Sequence, residues 1–295
     1  MSRNVTVGLD GSPESMAAAD WAAHEASLMA VPLRLVHAGS QPPHSYVPFA
    51  GEAVPPPGAD RVAHLLREVQ VSLSRRHPGL GITSERLAGR AAVALVAAAR
   101  EADLLVLGSR GLGLTAGYLL GSVASAVLAR AARPVVLVRT GTGAADERRP
   151  DTRGSASEAG ACRDVVLGLE LHDLPADALL AFAFESAGRR SAALRLAHGW
   201  KPEPHAGARP DRAARTEEAL PEALRPWQEK FPGVEVKDET VIGSAGPHLV
   251  DASHQASLVV VGRRNRPALV GPHIGPVTHQ VLRGSAAPVA VVPFD

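Results

Sequence analysis

The segment Leu104-Leu105-Val106-Leu107-Gly108 decides the fold of this 295-residue chain. Four apolar residues in a row that end in glycine predict a short strand buried on both faces, as in a parallel sheet covered by helices. The pattern returns as Leu258-Val259-Val260-Val261-Gly262. Gly121-x-Val123 and Gly275-x-Val277 repeat at the same spacing of 154 positions (108 to 262, 121 to 275). A register that holds without a gap indicates a tandem duplication.

Around this segment, predicted strands and helices alternate. In the first copy, Ser12 followed by Pro13 is typical of a helix start. Apolar strands are predicted near residues 4–9, 32–37, 82–88, 104–107 and 135–138. The alternation predicts an α/β fold of two tandem, doubly wound, five-stranded parallel sheets.

The boundaries of the two copies follow from composition. We predict domain 1 over residues 1–140, a flexible linker over 141–162 that is rich in Gly, Ser, Ala and charges, and domain 2 over 163–295. In the second copy, a helix near residues 211–231 contains Pro221 and Pro226. Because proline interrupts helices, we expect this helix to be broken or displaced.

Composition excludes several classes of protein. A net charge of +1 with only 3% aromatic residues argues against nucleic-acid binding, which favours a basic stripe with interleaved aromatics. Cys162 is the sole cysteine, so it forms no intrachain disulfide or thiolate zinc cluster, and we expect an incidental thiol. There is no apolar signal-peptide core and no apolar run of about 18 residues. We therefore expect a soluble, cytoplasmic protein that does not enter membranes.

A glycine pattern follows the deciding strand. Gly108, Gly111 and Gly121-Ser122 form Gly-x2-Gly-x9-Gly-Ser, which ends at a predicted helix start. Glycines let the backbone approach an anion, and the free N–H groups of a helix start bind it. Asp10, at the end of the first strand, is placed to accept a ribose hydroxyl or to help hold a phosphate-bound divalent cation. The glycine spacing alone leaves phosphate binding and a plain strand–helix turn open.

Several motifs together resemble a family. Asp10-Gly11-Ser12, the spacing from Gly108 to Gly121-Ser122, and Pro134-Val135-Val136-Leu137-Val138 are similar to the universal stress proteins of the ATP-binding subclass. The resemblance covers both copies. It implies an adenine-nucleotide hydrolase-like fold with strand order 3-2-1-4-5, and ATP across the ends of strands one and four.

The resemblance also implies roles for individual residues. Asp10 would lie by the ribose and the backbone of Ala38 would meet adenine. The triphosphate would be held by Gly108, Gly111, Gly121, Ser122 and the N–H of Val123. We add Arg110 as a phosphate contact by our own inference, and ATP would bind with or without Mg²⁺. The final strands, 135–138 and 289–292, would meet edge to edge in a pseudo-dimer, and two chains could pair further.

The second copy departs from this pattern. Glu170 replaces the aspartate, Leu171-His172 replace the following Gly-Ser, Asn265 replaces the second glycine, and Pro276 replaces the serine. Proline has neither a hydroxyl nor an N–H to donate. We therefore expect domain 2 to keep the fold and to lose ordinary ATP binding, while Arg263 and Arg264 leave a weaker anion site open.

Other chemistry is poorly supported by the sequence. It contains no Gly-x4-Gly-Lys-Ser/Thr loop, no Gly-x-Ser-x-Gly elbow and no His-x3-His pair. His37 and His198 end equivalent strands, which favours a shared packing role. The expected function is that of a nucleotide-dependent regulator of stress or dormancy responses, as the resemblance implies, with at most slow ATP hydrolysis. A slow adenine-nucleotide hydrolase and a non-binding scaffold with vestigial sites are the alternatives.

Overall fold

The computed structural model describes residues 3–39, 59–109, 121–141, 162–170, 174, 176–200, 211–242, 244–265 and 274–294. These residues divide into two compact units, one before residue 142 and one from residue 162 onward. Arg110, Gly111, Leu171-His172 and most of the predicted linker lie outside the described residues.

The first unit is a parallel sheet with helices between its strands. Its strands are β1 (Val5–Gly8), β2 (Leu33–Gly39), β3 (Ile82–Ala88), β4 (Leu104–Gly108) and β5 (Val135–Val138). Its helices are α1 (Pro13–Met29), α2 (Ala59–Arg76), α3 (Ala91–Glu101) and α4 (Ser122–Arg130). The strands pair in parallel in the order β3-β2-β1-β4-β5, which confirms the predicted order 3-2-1-4-5.

The second unit repeats this topology. Its strands are β6 (Asp164–Leu169), β7 (Leu194–Trp200), β8 (Val236–Ile242), β9 (Ala256–Arg264) and β10 (Val289–Phe294). Its helices are α5 (Asp177–Arg190), α6 (Asp211–Lys230), α7 (Ala245–Ser253) and α8 (Pro276–Gly284). The order β8-β7-β6-β9-β10 matches that of the first unit, strand for strand.

A glycine in the first strand of each unit shows that the packing is duplicated too. A Cβ on Gly8 would stand 2.7 Å from a methyl of Leu107, and one on Gly168 would stand 2.6 Å from a methyl of Leu249. Both glycines admit leucine side chains to the sheet surface. The predicted double-sided burial also holds, since the Leu104–Leu107 segment is buried throughout.

An ion pair across neighbouring strands recurs as well. The Nε atom of Arg34 lies 2.9 Å from Glu85 Oε1, and Arg195 Nη2 lies 2.8 Å from Glu239 Oε1. Both glutamates are substantially exposed, so each pair adds only about 0–1 kcal/mol of stability. The recurrence therefore marks the shared register of the two sheets.

The expected break in the helix at Pro221 and Pro226 was wrong, because α6 runs through both prolines. Each proline removes one backbone hydrogen bond. The turns around them are held by packing: Leu220 and Leu224 are buried, and the ring of Trp227 stacks on Phe184 with centroids 6.4 Å apart. Burial of a leucine side chain contributes about 1.5–3 kcal/mol, enough to offset much of the lost hydrogen bonding.

The strand order places a switch point in each sheet. In the first unit β1 lies between β2 and β4, so the chain leaves β1 toward one side and later returns on the other. Ligands of open α/β sheets bind beyond the carboxyl ends of the strands at such a point. The carboxyl ends of β1, β2 and β4 carry the predicted Asp10, Ala38 and Gly108.

Candidate functional site

The turn after β1 is built around Asp10 and caps α1. Gly11 has φ +82°, a left-handed conformation that side-chain-bearing residues rarely adopt. Asp10 Oδ1 accepts hydrogen bonds from both the N–H and the hydroxyl of Ser12. The Ser12 hydroxyl in turn accepts from the Ser15 N–H at 3.2 Å, which confirms the predicted cap. The exposed Asp10 carboxylate is therefore fixed at the edge of the sheet.

Gly108 brings the end of β4 against the first turn of α1. A Cβ at this position would lie 2.6 Å from the Glu14 carbonyl carbon, 2.7 Å from Ser15 N and 2.8 Å from Glu14 O. Real Cβ atoms do not approach backbone atoms so closely, so only glycine fits. Gly108 thus has a packing role in addition to its predicted place beside phosphate. This close packing positions the N-terminus of α1 over the end of β4.

The start of α4 has no described side chain packed against its N-cap. Gly121 is its N-cap, with φ −58° and ψ 147°, and Gly121 O accepts the N–H of Ser125 at 2.9 Å. A Cβ on Gly121 would meet no described atom within 4 Å. Ser122 and Val123 are exposed, and no side chain caps the helix. The first N–H groups of a helix have no intrahelical acceptor, so α4 presents donors at the edge that also carries Asp10.

The equivalent region of the second unit differs in three places. Helix α8 begins with Pro276 after the N-cap Gly275. Arg263, at the position of Ser109, is buried, and this burial lowers the pKa of its guanidinium. A Cβ on Gly262 would collide with the ring of Phe294 and lie 3.2 Å from a methyl of Leu179. Side chains therefore fill the space that the first turn of α1 occupies in the first unit.

Comparison with known proteins decides the family. The model of the Universal stress protein family matches residues 1–139 and 163–293. The chain belongs to the universal stress protein family. The resemblance of both copies to this family is thereby confirmed.

Relatives and solved structures agree along the whole length. A universal stress protein of Mycobacterium tuberculosis is 32% identical over 297 residues, covering 97% of this chain and 96% of the relative. One of Mycolicibacterium smegmatis is 32% identical over 299 residues, covering 98% and 96%. The crystal structure of a universal stress protein from Archaeoglobus fulgidus covers 98% of each chain with a TM-score of 0.68 at 17% identity. At that identity, the structure supports the fold alone.

The two strand-end histidines of this universal stress protein have different surroundings. His37 is half-buried and its Nδ1 lies 2.8 Å from Leu9 O. His198 is buried, and its Nε2 lies 3.1 Å from Asp238 Oδ1. The two histidines end equivalent strands as predicted, but their rings contact different partners. The sequence missed this difference because it depends on the residue that each neighbouring strand brings alongside.

Within the described residues, no group of three or more His, Cys, Asp or Glu side chains is arranged to hold a metal ion. None of the helices described is both long and apolar enough to cross a membrane.

Proposed function

We propose that the first domain of this universal stress protein binds ATP at the carboxyl ends of β1 and β4. The start of α4 carries the proposal. Gly121 has an ordinary φ, and a Cβ there would meet no atom of the described residues within 4 Å, so neither backbone strain nor packing against those residues requires a glycine. The space before the Ser122 and Val123 N–H groups suits a phosphate, which helix N-termini bind readily.

The proposed contacts follow the family resemblance. Backbone at Gly108, Gly111, Gly121, Ser122 and Val123 would hold the triphosphate, and Arg110 would add a charge. Ala38, at the end of β2, would meet adenine through its backbone. Asp10 would accept a ribose hydroxyl. Its carboxylate also fits Mg²⁺, which typically uses one or two carboxylates together with phosphate oxygens.

We expect ATP to act as a regulatory ligand. Asp10 Oδ1 already accepts two hydrogen bonds from Ser12, and the carboxylate is proposed to accept the ribose hydroxyl as well, so it is poorly suited to take a proton from water. Hydrolysis would then be slow at most, and bound ATP would stabilise one state of the protein in stress or dormancy responses. Measured ADP release of several turnovers per minute would favour the hydrolase alternative.

Domain 2 is proposed to bind no ordinary ATP. Pro276 removes a donor at the start of α8, and Phe294 and Leu179 fill the region beside Gly262. One ATP per chain is therefore the expected stoichiometry. Contact between the final strands of the two domains, pairing of two chains and a cytoplasmic location stay predictions; sedimentation equilibrium tests the pairing of chains.

A matched pair of variants tests the site. Asp is a better N-cap than Gly, so Gly121→Asp should leave the free protein at least as stable. A carboxylate about 4 Å from a phosphate charge costs roughly 4 kcal/mol at an effective dielectric of about 20, or roughly a thousandfold in Kd. Gly275→Asp makes the same change at an N-cap with φ −59° in domain 2 and should not alter ATP binding.

Isothermal titration with ATP is the measurement. We expect one site per chain in the wild type and in Gly275→Asp, and no measurable site in Gly121→Asp. Absence of ATP binding by the wild type would leave the scaffold alternative. If Gly275→Asp lost ATP binding and Gly121→Asp kept it, the ATP site would lie in domain 2 and the proposal would be wrong.

A further inference from the structure

The hydrogen bond of His37 fixes which ring nitrogen carries a proton. Its Nδ1 lies 2.8 Å from the carbonyl oxygen of Leu9. A carbonyl only accepts, so Nδ1 must carry the hydrogen. In the neutral ring, Nε2 is then left with a lone pair and acts as an acceptor. Leu9 directly precedes Asp10, so this acceptor lies at the proposed nucleotide edge.

Gly39 keeps that acceptor uncovered. A Cβ on Gly39 would stand 3.2 Å from Nε2 of His37. Gly39 is not among the described glycines with positive φ, so the backbone does not require a glycine at this position. In the part of the chain that the structure describes, Nε2 makes no hydrogen bond, and the ring is only half-buried. No described residue therefore occupies this acceptor.

A second polar atom lies on the same sheet face. Arg86 is the register partner of His37 in the β2–β3 pair, so both side chains project to one side. Arg86 Nε is buried and has no hydrogen-bond partner among the described residues. A buried donor without a partner destabilises the free protein, and a ligand acceptor would recover that loss. This corner therefore offers both an acceptor and a donor.

The second domain provides an internal comparison. In its β7 strand, His198 occupies the place of His37, Trp200 that of Gly39, and Thr240 is the register partner in place of Arg86. The Nε2 atom of His198 is engaged by Asp238 at 3.1 Å and the residue is buried. The open acceptor is thus absent from the described edge of the domain whose phosphate motif is degenerate.

We infer that His37 determines specificity for the nucleoside part of the ligand. Its Nε2 accepts a hydrogen bond from an N–H or O–H of the nucleoside, while Nδ1–H holds the ring against Leu9. This inference rests on the proposed nucleotide site in the first domain. The donor is either the 6-amino group of the base or a ribose hydroxyl, and nucleotide analogues that lack one or the other separate the two.

Nucleotide analogues and one variant that keeps only the Nδ1-side donor form the experiment. Titrations of the full chain compare ATP with purine riboside triphosphate, 2′-deoxy-ATP and 3′-deoxy-ATP. One of these analogues lacks the group that donates to Nε2. We expect the wild type to bind that analogue about five- to tenfold more weakly than ATP, as for loss of one hydrogen bond. In His37→Asn the amide NH₂ can still donate to Leu9 O, but no atom replaces Nε2. The affinity for ATP should then fall by the same factor, and ATP and that analogue should bind equally well.

Two further variants separate recognition from folding. His37→Gln places an amide near Nε2 and gives up the bond to Leu9 O, so it should retain more discrimination than His37→Asn. Gly39→Val leaves the imidazole ring intact and covers Nε2. It should therefore lower the affinity for ATP and abolish the difference in affinity between ATP and that analogue. Wild-type analogue penalties that persist in His37→Asn and Gly39→Val would overturn the role of His37 while ATP binding stands. Failure of the wild type to bind ATP would instead overturn the proposed function, and this inference with it.

Discussion

Replacement of Gly108 by alanine should destabilise the first domain even without nucleotide. The added Cβ would lie 2.6–2.8 Å from three backbone atoms of Glu14 and Ser15. A flexible side chain could turn away from the new methyl group, but backbone atoms in the first turn of α1 cannot. Either β4 or the start of α1 must move, and Ser12, whose hydroxyl caps that turn, would move with it.

The size of the effect follows from the nature of the contact. Overpacking typically lowers the free energy of unfolding by about 1–3 kcal/mol. Because the added methyl group meets backbone atoms only, we expect a loss of about 3 kcal/mol for this variant. For a domain of this size, each kcal/mol lowers Tm by roughly 3–4 °C, so Tm should fall by roughly 10 °C. A glycine needed only for phosphate approach would leave the stability of the free protein unchanged.

Scanning calorimetry of nucleotide-free protein measures this difference, with Gly262→Ala as the matched control. The nearest atoms to the Gly262 position belong to the side chains of Phe294 and Leu179, which can shift by rotation. The control should therefore lose less stability than Gly108→Ala. Equal Tm values for Gly108→Ala and the wild type would refute the packing role of Gly108.

Three further changes probe the fold. Ser12→Ala removes the side-chain cap of α1 and should lower the free energy of unfolding by about 1 kcal/mol, measured by urea denaturation; an unchanged value would mean that the cap is replaced by water. Phe184→Ala removes a fully buried ring stacked on Trp227 and Phe231, and should cost about 3–5 kcal/mol in the same assay, whereas a loss below about 1 kcal/mol would contradict this packing. Burial, with the nearby charges of Arg76 and His24, lowers the pKa of His77 below its usual 6.5, so the unfolded chain binds the proton first as pH falls. Stability should therefore decrease as pH falls from above 6.5 toward the lower folded value, and His77→Gln should flatten this slope in unfolding measurements between pH 7.5 and 5.5.

The alternating strands and helices could be predicted from the sequence because their signals are local, whereas the strand order was implied by the family resemblance. The run Leu104–Leu107 shows burial on both faces, and Ser12-Pro13 shows a helix start, without knowledge of any distant contact. The repeat then provided the strand signal a second time, as Leu258-Val259-Val260-Val261. Local signals failed at α6, where Pro221 and Pro226 predict a break but distant packing keeps the helix continuous.

The site could be predicted only in part. The glycine spacing identified Gly108 and Gly121 together, yet the two positions differ physically. A Cβ at Gly108 meets α1 backbone, whereas one at Gly121 meets no described atom. Similarly, the sequence equates His37 with His198, but Leu9 O and Asp238 give the two rings different partners. Such differences depend on which strands lie side by side, and no pattern within one segment contains them.

The duplicated chain also separates the contribution of the fold from that of the site. Both domains keep the strand order, the strand-one glycine and the cross-strand ion pair, so these features belong to the shared fold and do not distinguish the two sites. The domains diverge where β1 and β6 end. In the first, Gly11 and Ser12 turn the chain into a capped helix that packs on Gly108. In the second, α5 begins after Ala176, which has φ 35° and caps no N–H with its side chain, and Phe294 packs beside Gly262. The turn after the first strand of each domain determines where the next helix begins. The position of that helix in turn determines how much space remains for a ligand at the switch point. Ligand binding in this family member would then depend on that turn and on the residue that starts the fourth helix.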